Sequence, residues 1–249
     1  MKFVKRRASW ETRGVSGSVS FDGAYFDAAY FDWQAERALR SARAVVPLLL
    51  DLVSPRSVVD VGGGPGAWLQ AFVERGVDDV LAIDGAAFER DQLRIEPEQF
   101  VTADLADLPR FERTFDLGLS LEAAHYAPAS AAAGIVDTLT AYAPVVYFSA
   151  AIPNQGGGPG LNRQWPHYWS ELFAARGYRC ADVLRAPIWE HPDVDWWYAQ
   201  NGLLFVAEGA SGPLGTGPPL PLVHPQLFAE VAAQPVPTPA RRHGLRLRR

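Results

Sequence analysis

Short apolar runs rich in β-branched residues alternate with amphipathic stretches through the middle of the chain. This pattern predicts strands at 57–61, 80–83, 100–102, 115–120, 145–150, 178–184 and 203–207, and helices at 35–53, 67–75, 129–142 and 165–175. Alternation of strands and helices is typical of a parallel sheet with helices on both faces. We therefore predict a doubly wound α/β fold around a sheet of seven strands.

The two ends of the chain differ in composition from this middle part. Aromatic residues recur three to five positions apart in the segment FDGAYFDAAYFDW at 21–33, a spacing typical of one face of a helix. After Gly209 the sequence is too rich in glycine and proline for a regular element. We predict a basic segment and aromatic cap at 1–34, one α/β domain at 35–209, and a linker with a basic tail at 210–249, whose folding the sequence leaves open.

Composition narrows the class of protein. The chain of 249 residues is 48% hydrophobic and 20% charged, which is typical of a globular protein, and its single cysteine, Cys180, excludes an intramolecular disulfide. The longest apolar run, 44–50, is much shorter than the roughly 20 residues of a membrane span. The basic N-terminal segment lacks the apolar stretch of a secretory signal. We expect a cytoplasmic protein with no membrane partner.

Charge is unevenly distributed along the chain. The first 13 residues carry +4 and the last ten carry +5, so that the total of −5 leaves −14 for residues 14–239. An acidic body repels a phosphate backbone, which disfavours nucleic acid as a partner. A small-molecule substrate is the partner that we expect, and a homodimer is left open.

The most informative segment is SVVDVGGGPGAWL at 57–69. An apolar strand that contains Asp60 ends at Val61, and Gly62, Gly64 and Gly66 then lead directly into a helix. Such a turn exposes backbone N–H groups and the positive end of a helix, because glycine allows a ligand to approach the chain closely. The segment therefore predicts a site for an anionic group of a ligand.

Two classes of cofactor are compatible with this turn. Gly62, Gly64 and Ala67 also satisfy the dinucleotide pattern G-x-G-x-x-G/A. Asp84 ends the second predicted strand eighteen residues after Gly66, and a carboxylate there can accept hydrogen bonds from both hydroxyls of a ribose. Nicotinamide dinucleotides and S-adenosylmethionine both contain such a ribose, so these residues alone leave an NAD(P)-dependent oxidoreductase open.

Two further segments favour the second class. The sequence VTADL at 101–105 places Asp104 just past the third strand, where its carboxylate can accept a hydrogen bond from an adenine amino group while Leu105 covers the ring. The segment FDLGLSLE follows at 115–122. Taken in order, DVGGGPG, AIDG, TADL and FDLGLSLE resemble the successive motifs of class I S-adenosylmethionine-dependent methyltransferases, over roughly residues 40–150.

The resemblance implies a Rossmann-like sheet whose last strand is reversed, with S-adenosylmethionine lying across the carboxyl ends of the strands. It places the methionine part beside the three glycines, with Asp60 supporting the turn, the ribose on Asp84 and the adenine near Asp104. The cofactor-binding residues are then Asp60, Gly62, Gly64, Gly66, Asp84, Asp104, Leu105 and Leu121. The first motif departs from the commoner G-x-G-x-G by its Pro65, which stiffens the turn and leaves binding intact.

Two later segments are similar to a bacterial small-molecule subgroup of these enzymes, which often reads SLEVAEH after strand four and GGxGHxNEQWPxYW after strand five. This chain has SLEAAHY at 120–126 and GGPGLNRQWPHYW at 157–169. The glutamate before the histidine of the first motif is missing, and so are the glutamate and a histidine of the second. Acceptor chemistry that depends on those groups is therefore not implied.

Candidate acceptor-side residues follow strands four and five. His125 is a candidate general base, because a neutral imidazole suits proton transfer near physiological pH. His167, at the start of the next helix, is a second catalytic candidate. The predicted substrate-binding residues are Tyr126, Asn162, Trp165, Trp196 and Trp197, of which the last two would form an aromatic platform. Structural hydrogen bonding or core packing is the alternative for each of them.

The sequence favours an S-adenosylmethionine-dependent methyltransferase that acts on an oxygen or nitrogen atom of a small metabolite, in specialised biosynthesis. A noncatalytic binding or regulatory protein with the same fold is the alternative from a different class, beside the oxidoreductase. We predict no metal site, because His191, Asp193 and Asp195 lack a companion cluster with ligand spacing.

Overall fold

The computed structural model describes residues 28–85, 88–156, 160–213 and 215–233, with side chains of the first helix described from Gln34 onward. The predicted aromatic cap and both basic ends therefore fall largely outside the described residues. The same is true of residues 157–159 in the glycine-rich loop. These predictions stay predictions.

A single sheet of seven strands forms the centre of the molecule, and it confirms the predicted α/β class. The strands are β1 Ser57–Val61, β2 Asp79–Asp84, β3 Phe100–Thr102, β4 Leu117–Leu121, β5 Val145–Ser149, β6 Tyr178–Ala181 and β7 Leu203–Ala207. Their order is β3-β2-β1-β4-β5-β7-β6. All neighbouring pairs are parallel except those of β7, which runs antiparallel to β5 and β6. The last strand is thus reversed, as the resemblance implies.

Helices cover both faces of this sheet. They are α1 Ala28–Val53, α2 Ala67–Val73, α3 Ala132–Tyr142, α4 Pro166–Ala174, α5 Arg185–Ile188, α6 Trp196–Asn201 and α7 Pro225–Ala232. One apolar cluster joins α1, α2, α5 and α6 to the sheet, and a second joins α3 and α4 to it. Strands β1, β4 and β5 are buried at every position because both of their faces are covered. Within the described ranges, no helix combines the length and the apolarity needed to cross a membrane.

Element boundaries differ from the sequence prediction where side chains bond to the backbone. The strand predicted at 178–184 ends at Ala181, because the Asp182 amide donates to Thr216 Oγ1 at 2.9 Å and its carboxylate binds Arg185. The strand predicted from 115 begins at Leu117, since Asp116 accepts from the amide of Arg56 at 2.8 Å. The helix predicted from 129 begins with a turn of 3₁₀ helix before α3.

The carboxyl edge of the sheet is where functional residues are expected. In open parallel sheets, ligands bind beyond the carboxyl ends of the strands at the point where the strand order reverses, here between β1 and β4. Because β7 is antiparallel, its amino end lies at this same edge, with Leu203 paired to Phe148. Residues that precede β7 therefore lie at the same edge of the sheet as those that follow β4 and β5.

The segment that follows β7 packs against the rest of the protein over residues 215–233. The Thr216 amide donates to Cys180 O at 2.8 Å, and the buried side chain of Leu227 anchors α7. The His224 amide donates to Gln200 Oε1 at 2.8 Å. The predicted linker thus contains hydrogen-bonded structure, while the domain boundary at Gly209 stays a prediction.

Candidate functional site

The turn between β1 and α2, residues Gly62–Gly66, is built from left-handed backbone and is called the glycine turn below. Gly62, Gly64 and Gly66 have φ values of +77°, +54° and +91°. A Cβ on Gly62 would lie 2.2 Å from the Cβ of Ala123, which follows β4, so this position admits no side chain. A Cβ on Gly64 would meet nothing within 4 Å. The glycine turn therefore packs tightly on the β4 side and is open at its middle.

Asp84 at the end of β2 closes the glycine turn from the other side. Its Oδ2 accepts a hydrogen bond from the Gly64 amide at 2.8 Å, and the side chain is half-buried. The sequence predicts that this carboxylate binds a ribose. The structure places it beside the glycine turn, where it reaches both the backbone amides and solvent.

Asp60 lies in β1 immediately before the glycine turn and is 1% exposed. Neither of its carboxylate oxygens has a hydrogen-bond partner among the described residues. Burial, and secondly the charge of Asp84, raise the pKa of Asp60 to about 7. A buried carboxyl group without a partner is costly, and a cationic group of a ligand would relieve that cost. The residues present therefore fit a cofactor with cationic groups.

Asp60 should make the stability of the ligand-free protein fall as the pH rises from about 4 to about 7. Over this range the folded protein holds a proton that the unfolded chain has released, so the contribution is complete at low pH and is lost as the pH passes about 7. Urea denaturation should show wild type losing on the order of 1–4 kcal/mol relative to Asp60→Asn between about pH 5 and about pH 8. A difference that does not change with pH would contradict this account.

Of the residues predicted to bind the adenine, some lie beside the glycine turn and others do not. Leu105 Cδ2 lies 3.7 Å from the position that a Cβ on Gly62 would take, so Leu105 flanks the glycine turn. Leu121 is buried at the end of β4. Asp104 is exposed, and its Oδ1 accepts from the amide of Ala106 at 2.8 Å, which stabilises its own turn. Its adenine contact stays a prediction.

His125 is buried in the short turn after β4. Its Nδ1 accepts a hydrogen bond from the Ala151 amide at 3.1 Å, which leaves the ring proton on Nε2. Burial, and secondly the positive charge of Arg163, lower the pKa of His125 to about 3. With one nitrogen bonded and the other protonated, the imidazole is arranged as a donor, so this geometry favours a structural role over the predicted base.

The loop that precedes α4 packs onto the same turn. The Asn162 amide donates to His125 O at 3.0 Å, and the ring of Tyr126 lies 4.2 Å from that of His125. Asn162 is 2% exposed, and its Nδ2 has no hydrogen-bond partner within the described part of the chain. An unsatisfied buried donor is consistent with the predicted substrate role of Asn162. His125, Tyr126 and Asn162 therefore form one cluster.

The remaining predicted acceptor residues have other contacts. His167 is exposed on α4, and the half-buried Trp165 precedes that helix. The ring of Trp197 lies beneath the guanidinium of Arg37, 4.6 Å from it, and the ring of Trp196 stacks on His224 at 6.4 Å. These contacts are those of packed aromatic residues. Substrate roles for these side chains stay predictions.

A set of polar side chains at the carboxyl edge was not predicted from the sequence, and we call it the polar network. Its members are the half-buried Glu122 directly after β4, the buried Gln155 in the loop after β5, and the buried Gln200 and Asn201 at the end of α6. Glu122 Oε1 accepts from Asn201 Nδ2 and its Oε2 accepts from Gln155 Nε2, both at 2.9 Å. Gln155 Oε1 accepts from Asn201 at 3.0 Å and from Gln200 at 3.2 Å. The only signals in the sequence are the acidic residue after β4 and the Gln-Asn pair before β7.

Two features of Glu122 set it apart. Its backbone is left-handed with φ +54°, a conformation that costs a residue with a side chain about 1 kcal/mol and is frequent at functional sites. Burial raises the pKa of Glu122 to about 7, although the bonds from Asn201, Ser149 and Gln155 lower it. Glu122 is therefore a carboxyl group that titrates near neutral pH.

Another groove on the described surface lies apart from the glycine turn. A groove of ≈ 540 Å³ between α1 and the loop before α6 is lined by Arg37, Arg40, His191 and Asp193, and not by the glycine turn. Asp195 binds Arg37 at 2.6 Å and Arg40 at 3.1 Å. Across the described residues, no group of three or more histidine, cysteine or carboxylate side chains is placed to hold a metal ion.

Comparisons with known proteins concern the fold and the segment that contains the glycine turn. Residues 59–139, a third of the chain, match the family model for a methyltransferase domain. The crystal structure of DesVI from Streptomyces venezuelae is 13% identical, covers 74% of this chain and 98% of its own, and superposes with a TM-score of 0.54. A methyltransferase described as putative, in complex with its activator Trm112 from Haloferax volcanii, is 18% identical over 75% and 95% of the two chains, with a TM-score of 0.50.

A methyltransferase from Burkholderia thailandensis, crystallised with 1,6-didemethyltoxoflavin and S-adenosylhomocysteine, is 21% identical over 75% and 83% of the chains, with a TM-score of 0.49. No curated protein matches the chain. At these identities the DesVI and Haloferax structures show a shared fold. The matched segment 59–139 runs from β1 through β4 and contains the glycine turn, Asp84 and Glu122.

Proposed function

We propose that the chain is a class I S-adenosylmethionine-dependent methyltransferase, and that it transfers a methyl group to an oxygen or nitrogen atom of a small metabolite, in specialised biosynthesis. Support for the enzyme class comes from the methyltransferase-domain model that matches residues 59–139. Support for a small acceptor comes from the polar network, since a mostly buried set of directional hydrogen-bonding groups suits a compact ligand rather than a polymer.

The observation that carries the proposal is the pair of carboxylates beside the glycine turn. Asp60 lies next to Gly63, and Asp84 bonds to the Gly64 amide. Negative charge at this place favours the ammonium and sulfonium groups of S-adenosylmethionine and disfavours the pyrophosphate of a nicotinamide dinucleotide. The oxidoreductase alternative is therefore not favoured.

The chain's own residues have separable tasks in this proposal. The cofactor supplies a methyl group activated by a positively charged sulfur. The glycine turn and Asp84 fix the position of the bound molecule, and Leu105 and Leu121 exclude water beside it. Positioning of the acceptor supplies much of the rate, because alignment of two reactants removes a large entropic cost.

Asp84→Asn should weaken the binding of S-adenosylhomocysteine about 10- to 100-fold. The substitution keeps an acceptor for the Gly64 amide but removes the charge that would bind two hydroxyl groups, and hydrogen bonds to a charged group contribute about 1.5–3 kcal/mol. Isothermal titration calorimetry measures the effect, with the exposed Asp78→Asn as the control that keeps wild-type affinity. Binding of NAD without binding of S-adenosylhomocysteine by the wild type would overturn the proposed function.

A further inference from the structure

Glu122 lies at the carboxyl edge of the sheet, beside the glycine turn. It follows β4 directly, and the next residue, Ala123, is the one that packs against Gly62 of the glycine turn. Its backbone is held in the left-handed region by two bonds from its amide, one to Ser149 O and one to Ser149 Oγ, both at 3.0 Å. The position of the carboxyl group is therefore fixed relative to the glycine turn.

The partners of this carboxyl group are neutral. One oxygen accepts from the amide of Asn201 and the other from the amide of Gln155, and the Ser149 hydroxyl is a third neutral donor, so three of the roughly four acceptor positions of the carboxylate are used and one remains. No arginine, lysine or histidine within the described ranges forms an ion pair with Glu122. Amide donors orient a carboxylate without the strong loss of basicity that an adjacent cation causes.

Two titratable groups that interact with Glu122 are phenols. Tyr147 on β5 and Tyr198 on α6 both interact electrostatically with it, and burial raises the pKa of each phenol above its usual range, so both are neutral near pH 7. The pKa of Glu122 itself is raised to about 7, whereas that of His125 is lowered to about 3. A base is most effective when its pKa lies near the working pH, which favours Glu122.

We propose that Glu122 is the catalytic residue that receives the acceptor's proton, and that the acceptor is therefore a protic nucleophile, a hydroxyl, phenol or amine. This inference rests on the proposed function. As the acceptor's oxygen or nitrogen bonds to the methyl carbon, the electron pair of the breaking carbon–sulfur bond stays on sulfur. The acceptor's O–H or N–H bond breaks, its electrons remain on the acceptor atom, and the proton passes to a carboxylate oxygen of Glu122, which later releases it to water.

Gln155 and Asn201 act in this scheme as positioning residues. Their amides orient the two oxygens of Glu122, and Gln200 ties both amides to the segment before α7 through the His224 amide. Because the bond from Asn201 lowers the pKa of Glu122, its removal raises that pKa. Asn201→Ala should therefore shift the pH profile of the reaction to higher pH, an effect that a merely structural residue would not produce.

The test compares wild type, Glu122→Gln and the exposed control Glu112→Gln. Methyl transfer from S-adenosylmethionine carrying a labelled methyl group is measured with a panel of phenols, alcohols and primary amines over a range of pH. We expect transfer by the wild type to rise with pH around 7, a loss of about 100-fold or more in kcat for Glu122→Gln, and wild-type rates for Glu112→Gln. Infrared difference spectra of the complex with S-adenosylhomocysteine, wild type minus Glu122→Gln, should show one carboxyl group titrating near pH 7.

Calorimetry with S-adenosylhomocysteine distinguishes failure of the proposed function from failure of the role of Glu122. A wild type that does not bind it overturns the proposed function. A wild type that binds it but methylates no protic member of the panel overturns the acceptor class. The role of Glu122 is overturned if Glu122→Gln binds S-adenosylhomocysteine within threefold of wild type, unfolds at the same temperature and retains kcat within threefold. If only a parallel His125→Ala variant loses the rise of the rate with pH, the proton is assigned to His125.

Discussion

Replacing Gly62 with alanine should abolish detectable binding of S-adenosylhomocysteine and lower the stability of the fold. The new Cβ would lie 2.2 Å from Ala123 Cβ, so β1 and β4 must separate at the carboxyl edge or the glycine turn must be rebuilt. The left-handed backbone at φ +77° adds about 1–2 kcal/mol of strain, and overpacking adds roughly 1–3 kcal/mol. Calorimetry should show at least a 100-fold loss of affinity, and thermal unfolding should show a lower midpoint.

Gly76→Ala is the matched control for this substitution. Gly76 has φ +88°, so alanine there suffers the same backbone strain, but its Cβ would meet nothing within 4 Å. The control should lose about 1–2 kcal/mol of stability and keep its affinity for the ligand. If both variants bind S-adenosylhomocysteine as wild type does, the glycine turn is not the binding site.

Replacing Arg185 with methionine should destabilise the protein by about 3–5 kcal/mol. Arg185 is 1% exposed, and its guanidinium binds the carboxylate of Asp182 through two nitrogens, donates to Leu220 O at 3.0 Å and donates to Gln200 O at 3.3 Å. Methionine fills a similar volume but leaves one carboxylate and two carbonyl groups without the guanidinium as their donor. Breaking a buried charge pair typically costs about 3–5 kcal/mol of stability. The melting temperature should fall by roughly 6–20 °C.

Arg113→Met provides the comparison for a bridge in solvent. Arg113 binds Asp79 at 2.6 Å, but both side chains are about half exposed, so its loss should cost less than about 1 kcal/mol. A melting temperature for Arg185→Met within 2 °C of the Arg113→Met value would show that the buried cluster contributes little. Addition of Asp182→Asn to Arg185→Met should restore part of the loss, since it removes the uncompensated charge.

The sheet was predictable because each strand has its own local signal. Short runs of apolar and β-branched residues locate β1, β3 and β7 to the residue. Boundaries were missed where a distant side chain decides them, as at Asp182, whose partner Thr216 lies 34 positions away. The glycine turn was predictable for a related reason, because its three left-handed glycines and Asp60 lie within seven positions of the chain.

The acceptor side was harder to predict because its contacts are long-range. Glu122 and Asn201 are 79 positions apart, and nothing local to either residue indicates that they meet. The sequence drew attention to His125 for its chemistry, but only the structure shows the Ala151 amide on Nδ1 and the charge of Arg163 nearby. Trp196 and Trp197 were predicted as a platform from composition, while their contacts with His224 and Arg37 depend on helix packing.

The reversed direction of β7 has a consequence for how such a protein can diversify. The proposed donor site is formed by residues 57–105, from early in the chain, whereas Gln200 and Asn201 reach Glu122 at the same edge because β7 starts where its neighbours finish. The two sets of residues are encoded by separate stretches of the gene. In the proposed function, we therefore expect mutations in the later stretch to change the choice of nucleophile while they leave the glycine turn and Asp84 intact.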